Sequence, residues 1–195
     1  MDFEVSHGPW PGGPGAREAR RCRDAVSGDA SRVSEGPTNP NSARAVETVR
    51  QFLHEMGFSP VERRLVDRTA FLVSFDGPAD QGIAQIVDDG ERFVFHFVLP
   101  GEVPAERRHA VSEFIARANW RLIEGSFQLD FDTGALRYRV GIDFSGTELS
   151  EPLIRNAMLT GMEAIETFAV ALASVANGQF EPASAYRAIS SKTFS

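Results

Sequence analysis

Two aspartates set two positions apart, Asp130 and Asp132, are the first residues of this chain whose type and spacing suggest chemistry. Carboxylates at that spacing on one strand share a face and would offer oxygen ligands to a divalent cation. Asp132 also opens Asp132-Thr133-Gly134. Beside a second such triplet, it would give two carboxylates sharing one proton and activating water for hydrolysis. That chemistry needs a partner triplet on a strand. Leu159-Thr160-Gly161 falls instead within a helical pattern, and no third metal ligand is evident. Asp and Gly are ordinary turn residues, and the triplet sits between two alternating apolar runs. A hairpin turn is the expectation, with a metal- or small-molecule-dependent enzyme using Asp130 and Asp132 as the alternative.

The other reactive side chains are dispersed. His7, His54, His96 and His109 include no pair at metal-ligand spacing. His109 falls on the solvent side of a helix. His96 is expected to be partly buried and hydrogen-bonded, with a pH-sensitive contact as the alternative. Cys22 lies between Arg21 and Arg23, which would lower a thiol pKa, but in a stretch rich in glycine and proline. As the only cysteine it excludes an internal disulfide and a multi-cysteine metal site. There is no glycine-rich phosphate loop and no serine nucleophile elbow. No catalytic residue, metal or cofactor is expected.

The elements that would position these groups follow from periodicity. Val46, Val49, Phe52, Leu53 and Met56 recur at helical spacing from Ser42 onward, and Gly57 ends that run. Val61–Val66 is a short charged run, expected at a sheet edge. Thr69–Phe75, Ile83–Val87 and Arg92–Leu99 alternate as strands, the last two joined through Asp88-Asp89-Gly90-Glu91. Pro104 opens a second helix over Ala105–Ala118. Leu122–Phe131 and Leu136–Phe144 alternate again, and a last helix runs from about Glu151 to Asn177, entered through Ser150. The residues after Gln179 read as a loose stretch. Helix, three or four strands, helix, two strands, helix is an α+β order, expected to fold as one antiparallel sheet packed against helices.

Composition narrows the class. The 195 residues carry 20 basic and 27 acidic side chains, a net charge of −7, which argues against a general nucleic-acid binder. All the basic residues but Lys192 are arginines, and they are scattered. No run approaches the roughly 18 apolar residues of a membrane span, and the first 30 residues hold no apolar signal core, so a cytoplasmic protein without membrane contact is expected. Residues 1–41, rich in Gly and Pro, are expected to form a disordered tail; 42–187 form the domain, and 188–195 a loose C-terminal tail.

Alternation also assigns faces. Phe71, Val73 and Phe75 with Phe93, Phe95 and Phe97 face the helices, so Leu72, Val94, His96 and Val98 point the other way. On the later strands that outer face carries Arg137 and Arg139. An apolar surface left in water marks an interaction patch. Leu72, Val94, His96 and Val98 are therefore expected at an interface, with Arg137 and Arg139 as its polar rim.

From His96 to Tyr186 the chain resembles the YbjN-like family of bacterial sensory-transduction regulators. The resemblance rests on Val98-Leu99-Pro100, Val103-Pro104, Arg117-Ala118-Asn119, Gly125-Ser126-Phe127-Gln128-Leu129-Asp130, Thr133-Gly134, Leu136-Arg137-Tyr138-Arg139 and Leu149-Ser150. It covers about residues 42–187. It implies the fold of type III secretion chaperones, small acidic homodimers that hold stretches of a client. It brings no catalytic residues to carry over. The resulting expectation is a non-enzymatic, homodimeric module, chaperone-like or regulatory, that binds a client or regulatory protein through its sheet or helix surface.

Overall fold

The computed structural model describes residues 39–190, and Asn39 caps its first helix. Its side-chain oxygen accepts the amide proton of Asn41 at 2.8 Å, and Pro40 fills a first-turn position whose amide hydrogen would have no partner. Helix α1 (Pro40–Glu55) follows and buries the expected stripe of Val46, Val49, Phe52 and Leu53. Four strands come next: β1 (Val61–Arg64), β2 (Arg68–Ser74), β3 (Gln81–Val87) and β4 (Arg92–Glu102). A 3₁₀ turn (Ala105–Arg107) leads into α2 (Arg108–Asn119), then β5 (Ser126–Leu129), β6 (Ala135–Asp143), α3 (Glu151–Ala176) and α4 (Pro182–Ser190). The expected tail over residues 1–38, Cys22 included, lies outside the described residues, as do residues 191–195.

The strands form one six-stranded antiparallel sheet in the order β1-β2-β3-β4-β6-β5. This is the α+β architecture the periodicity predicts, with four strands before the second helix. Cross-strand register stacks Phe71, Ala84, Phe95 and Val140 in one row of the inner face. Val73, Gly82, Phe97, Tyr138 and Phe127 form the next row. These residues share a single buried core with the inward stripes of the helices. The ring of Phe168 on α3 meets Phe127 edge-on at 5.9 Å and Phe114 on α2 at 6.4 Å. Ala70, Ile83 and Val94, on the opposite face, stand outside that core.

Helix α3 has the length and apolar composition of a membrane-crossing helix. Its buried stripe of Ile154, Met158, Ile165, Phe168 and Leu172 is built into the core instead. Gly161 sits in the middle of this helix for a steric reason: a Cβ there would run into the Phe97 ring. Ser150 occupies the N-cap position as expected, but its hydroxyl makes no capping bond; its carbonyl accepts from Leu153 at 3.1 Å and Ile154 at 3.2 Å.

Three expectations change. The stretch after Gln179 is not loose: α4 packs against α2 and α3, burying Ala185. It continues to Ser190, into the segment expected as tail. The run Leu122–Phe131 is a strand only over Ser126–Leu129. Ile123 is fully exposed, so the start of that run belongs to a surface loop. Finally, the first helix begins at Pro40 rather than Ser42, inside the stretch read as tail.

Candidate functional site

The outer face of the sheet is built by the residues that alternate out of the core. Leu72, Ile83, His96, Arg139 and Ser126 lie across one another in consecutive strands. The flanking rows are Ala70–Gln85–Val94–Gly141 and Ser74–Gln81–Val98–Arg137–Gln128. Over them lies an open hollow of about 770 Å³, floored by Ile83, Gln85, Val94, His96 and Val98. Arg68 stands at one end and Arg137 with Arg139 at the other. Val94 and His96 are each 6% exposed, Leu72 and Val98 are half-buried, and Arg137 and Arg139 are exposed. All six expected interface residues therefore share one face, and all but Leu72 line the hollow. Gly141 puts no side chain beside Val94, leaving a second, smaller notch at that edge.

The electrostatics of this face center on His96. Burial, followed by the positive charges of Arg137, Arg139 and Arg68, pushes its pKa from 6.5 to about 3, so the ring is neutral at physiological pH. It is not the hydrogen-bonded histidine expected from the sequence. Among the described residues its Nδ1 is buried with no hydrogen-bond partner. The arginines are committed to different degrees. Arg68 donates from Nε and Nη2 to Asp67 at 2.8 and 2.6 Å, and Arg137 donates from Nε to Gln128 Oε1 at 2.8 Å. Among the described residues Arg139 makes no ion pair.

Asp130 and Asp132 do not form a carboxylate pair on a strand, because β5 ends at Leu129. Asp130 turns back on its own loop. Its Oδ1 accepts from the amides of Asp132 at 2.9 Å and Thr133 at 3.3 Å, and these bonds hold its carboxyl below the usual range. Thr133 Oγ1 accepts from Ala135 at 3.2 Å. Gly134, at φ +83° with the Val103 carbonyl where a Cβ would sit, completes the turn. Arg108 pins this turn to α2, donating from Nη1 to Phe131 O at 2.5 Å and Asp132 O at 3.2 Å. Among the described residues no three His, Cys, Asp or Glu gather at metal-binding distance.

Other quoted motif residues also serve the backbone. Asn119 takes the place of a neighbouring strand for β5: its Nδ2 donates to Phe127 O at 3.1 Å and its Oδ1 accepts from Phe127 N at 2.9 Å. Tyr138 donates its hydroxyl to Glu124 O at 2.5 Å, closing the loop before β5. Residues 45–174 match the model of the YbjN family, described as a putative bacterial sensory transduction regulator. The chain belongs to the YbjN family. No curated protein and no solved structure matches it. The type III secretion chaperone likeness therefore stays an implication of the resemblance.

Sequence reasoning found part of this YbjN surface. Alternation placed Leu72, Val94, His96, Val98, Arg137 and Arg139 on one face. It did not bring in Arg68, Ile83 or Gln85, which join through the register of β2 and β3 against β4. The signal was present in the same alternation: Arg68, Ala70 and Leu72 share parity, as do Ile83 and Gln85.

Proposed function

We propose that this YbjN protein is a non-enzymatic, chaperone-like or regulatory module that docks a client or regulatory protein on the open face of its sheet, working as a cytoplasmic homodimer. The observation that carries the reading is the hollow over β2–β6. Ile83, Val94 and Val98 give its floor, shared with Gln85 and His96, an apolar part that faces away from the helices, with arginines at both ends. A regulator acts by binding, and the family description fits that role. Exposed Leu159, Met162 and Val170 on α3 leave a separate apolar surface for self-association.

The test is the double substitution Val94→Asp with Val98→Asp. Two carboxylates on the floor are expected to abolish capture of the partner from native lysate, while circular dichroism and the mass by light scattering stay those of a folded dimer. An unfolded double variant would make these residues core and sink the docking face. Undiminished capture by a folded variant would move the interaction elsewhere on the molecule. A monomeric wild-type mass would remove the dimer, and recovery outside the cytoplasmic fraction would remove the assigned compartment.

A further inference from the structure

The outer face of the sheet gathers three arginines around one histidine. The protein is net −7, yet Arg68, Arg137 and Arg139 line the hollow over His96 against a single carboxylate, Asp130, whose Oδ1 is taken up by its own turn. At the floor between them His96 is 94% buried with Nδ1 unpartnered among the described residues. A buried polar nitrogen without a partner is costly unless something binds it. A neutral imidazole can turn an N–H toward an incoming acceptor. We infer that the occupant of this hollow is an extended acidic peptide segment of the partner protein, with carboxylates at both ends and small apolar side chains between them. This rests on the docking face proposed above and names the chemistry it reads.

The spacing follows from the sheet. Arg68 and Arg139 are three strands apart, β2 to β6, or about 14 Å at the usual strand separation. Register puts Arg68 opposite Val87 and Arg92, and Arg139 opposite His96, an offset of four residues or about 14 Å along the strands. The diagonal is about 20 Å, the reach of six steps of extended chain at ~3.3 Å each. In such a segment residues i, i+2, i+4 and i+6 point to the same side. Carboxylates at i and i+6 would meet the two arginine ends. Apolar side chains at i+2 and i+4 would lie on Ile83, Val94 and Val98. The guanidinium fork suits a carboxylate; Arg139 has no competing ion pair among the described residues, and Arg68, already held by Asp67, would share its fork with the incoming group. The apolar floor and the acidic chain as a whole disfavor a nucleic-acid polyanion.

The probe is the fluorescein-labelled heptapeptide Glu-Ser-Val-Ser-Val-Ser-Glu, titrated against the full chain by fluorescence anisotropy beside its Gln-Ser-Val-Ser-Val-Ser-Gln counterpart. The glutamate peptide is expected to bind at least tenfold tighter, to weaken about tenfold with Arg139→Gln, and to weaken further as salt is raised. Arg139 is exposed, so that variant folds. A Gln peptide that binds equally well, and is lost with Val94→Asp and Val98→Asp, overturns the acidic occupant while keeping the face as a docking site. Failure of both peptides, with partner capture still abolished by the same double variant, also overturns the acidic occupant and leaves the face standing. Tighter binding of a labelled oligouridylate than of the glutamate peptide overturns it in favor of a phosphate ligand.

Discussion

Replacing Gly161 by alanine tests how α3 is fitted to the sheet. On propensity alone, alanine in a helix interior gains about 1 kcal/mol over glycine. In this position the new methyl would penetrate the Phe97 ring, with Cε2, Cδ2 and Cζ all in its path. The ring is boxed in by Phe95 at 4.6 Å, Phe75 at 5.6 Å and Tyr138 at 6.4 Å, and is 1% exposed. Overpacking of that kind costs about 1–3 kcal/mol. The net expectation for Gly161→Ala is a loss of up to about 2 kcal/mol. For a chain of this size that lowers Tm by about 2–4 °C per kcal/mol. In a Phe97→Leu background the ring is gone, and the same substitution should stabilize by about 1 kcal/mol. Urea unfolding of the four proteins gives the coupling directly, expected at about 1–3 kcal/mol. If Gly161→Ala stabilizes by about 1 kcal/mol in both backgrounds, the glycine is incidental and the close approach of α3 to β4 is wrong.

Asn119→Ala removes both bonds to Phe127 and should cost about 1–3 kcal/mol, and Asn119→Asp, which sets a carboxylate oxygen against the Phe127 carbonyl, should destabilize as well; an unchanged urea midpoint for either variant would refute the strand-like pairing. The depressed pKa of His96 makes stability pH-dependent. Above 6.5 the ring is neutral whether folded or unfolded; between 6.5 and about 3 only the unfolded chain binds the proton, so stability falls with pH at up to about 1.4 kcal/mol per unit. The charged groups acting on it are Arg137 and Arg139 from β6 and Arg68 from β2, with Gln85 and Ile83 of β3 beside it. His96→Gln should therefore lose about 1 kcal/mol less than wild type between pH 7.5 and 5.5 in matched urea titrations, and identical losses would place His96 in contact with solvent.

The strands were legible where alternation is unbroken, as in β4 and β6, because a period of two assigns every side chain to a face without knowledge of its neighbours. The same rule misled at 122–131. Ile123, Gly125, Phe127, Leu129 and Phe131 alternate onto one face, but Gly125 adopts φ +70° with the Tyr138 hydroxyl where a Cβ would lie, so the chain is not extended there. That constraint is tertiary and has no local signature. Helix α4 did leave a signal: Pro182 at a first-turn position, then Ala185 and Ile189 four apart. Its brevity and its neighbours Ser184 and Ser190 obscured it. Membership of the outer face was readable residue by residue, whereas the convergence of Arg68 with Arg139 required the register of three strand pairs.

Among the described residues two places hold buried polar side-chain atoms without partners, and comparing them shows why only one is read as a site. Arg64 Nε and Asp88 Oδ1 are both unsatisfied, but the two side chains are joined to each other through Nη2 and Oδ2. Thr69 Oγ1 accepts from Arg64 at 3.0 Å, and Ser42 Oγ donates to the Asp88 carbonyl at 2.8 Å. That pair ties α1 to the β1–β2 edge, its charges already compensated, and removing either partner would expose the cost of an unpaired buried charge. His96 has no such closure. Its neighbours on the sheet are Ile83 and Arg139, one apolar and one of like sign to its protonated form, so nothing within the face completes its hydrogen bonding. A carboxylate arriving from outside would offset the arginines beside His96, which neither the self-bonded turn at Asp130 nor the closed Arg64–Asp88 pair requires.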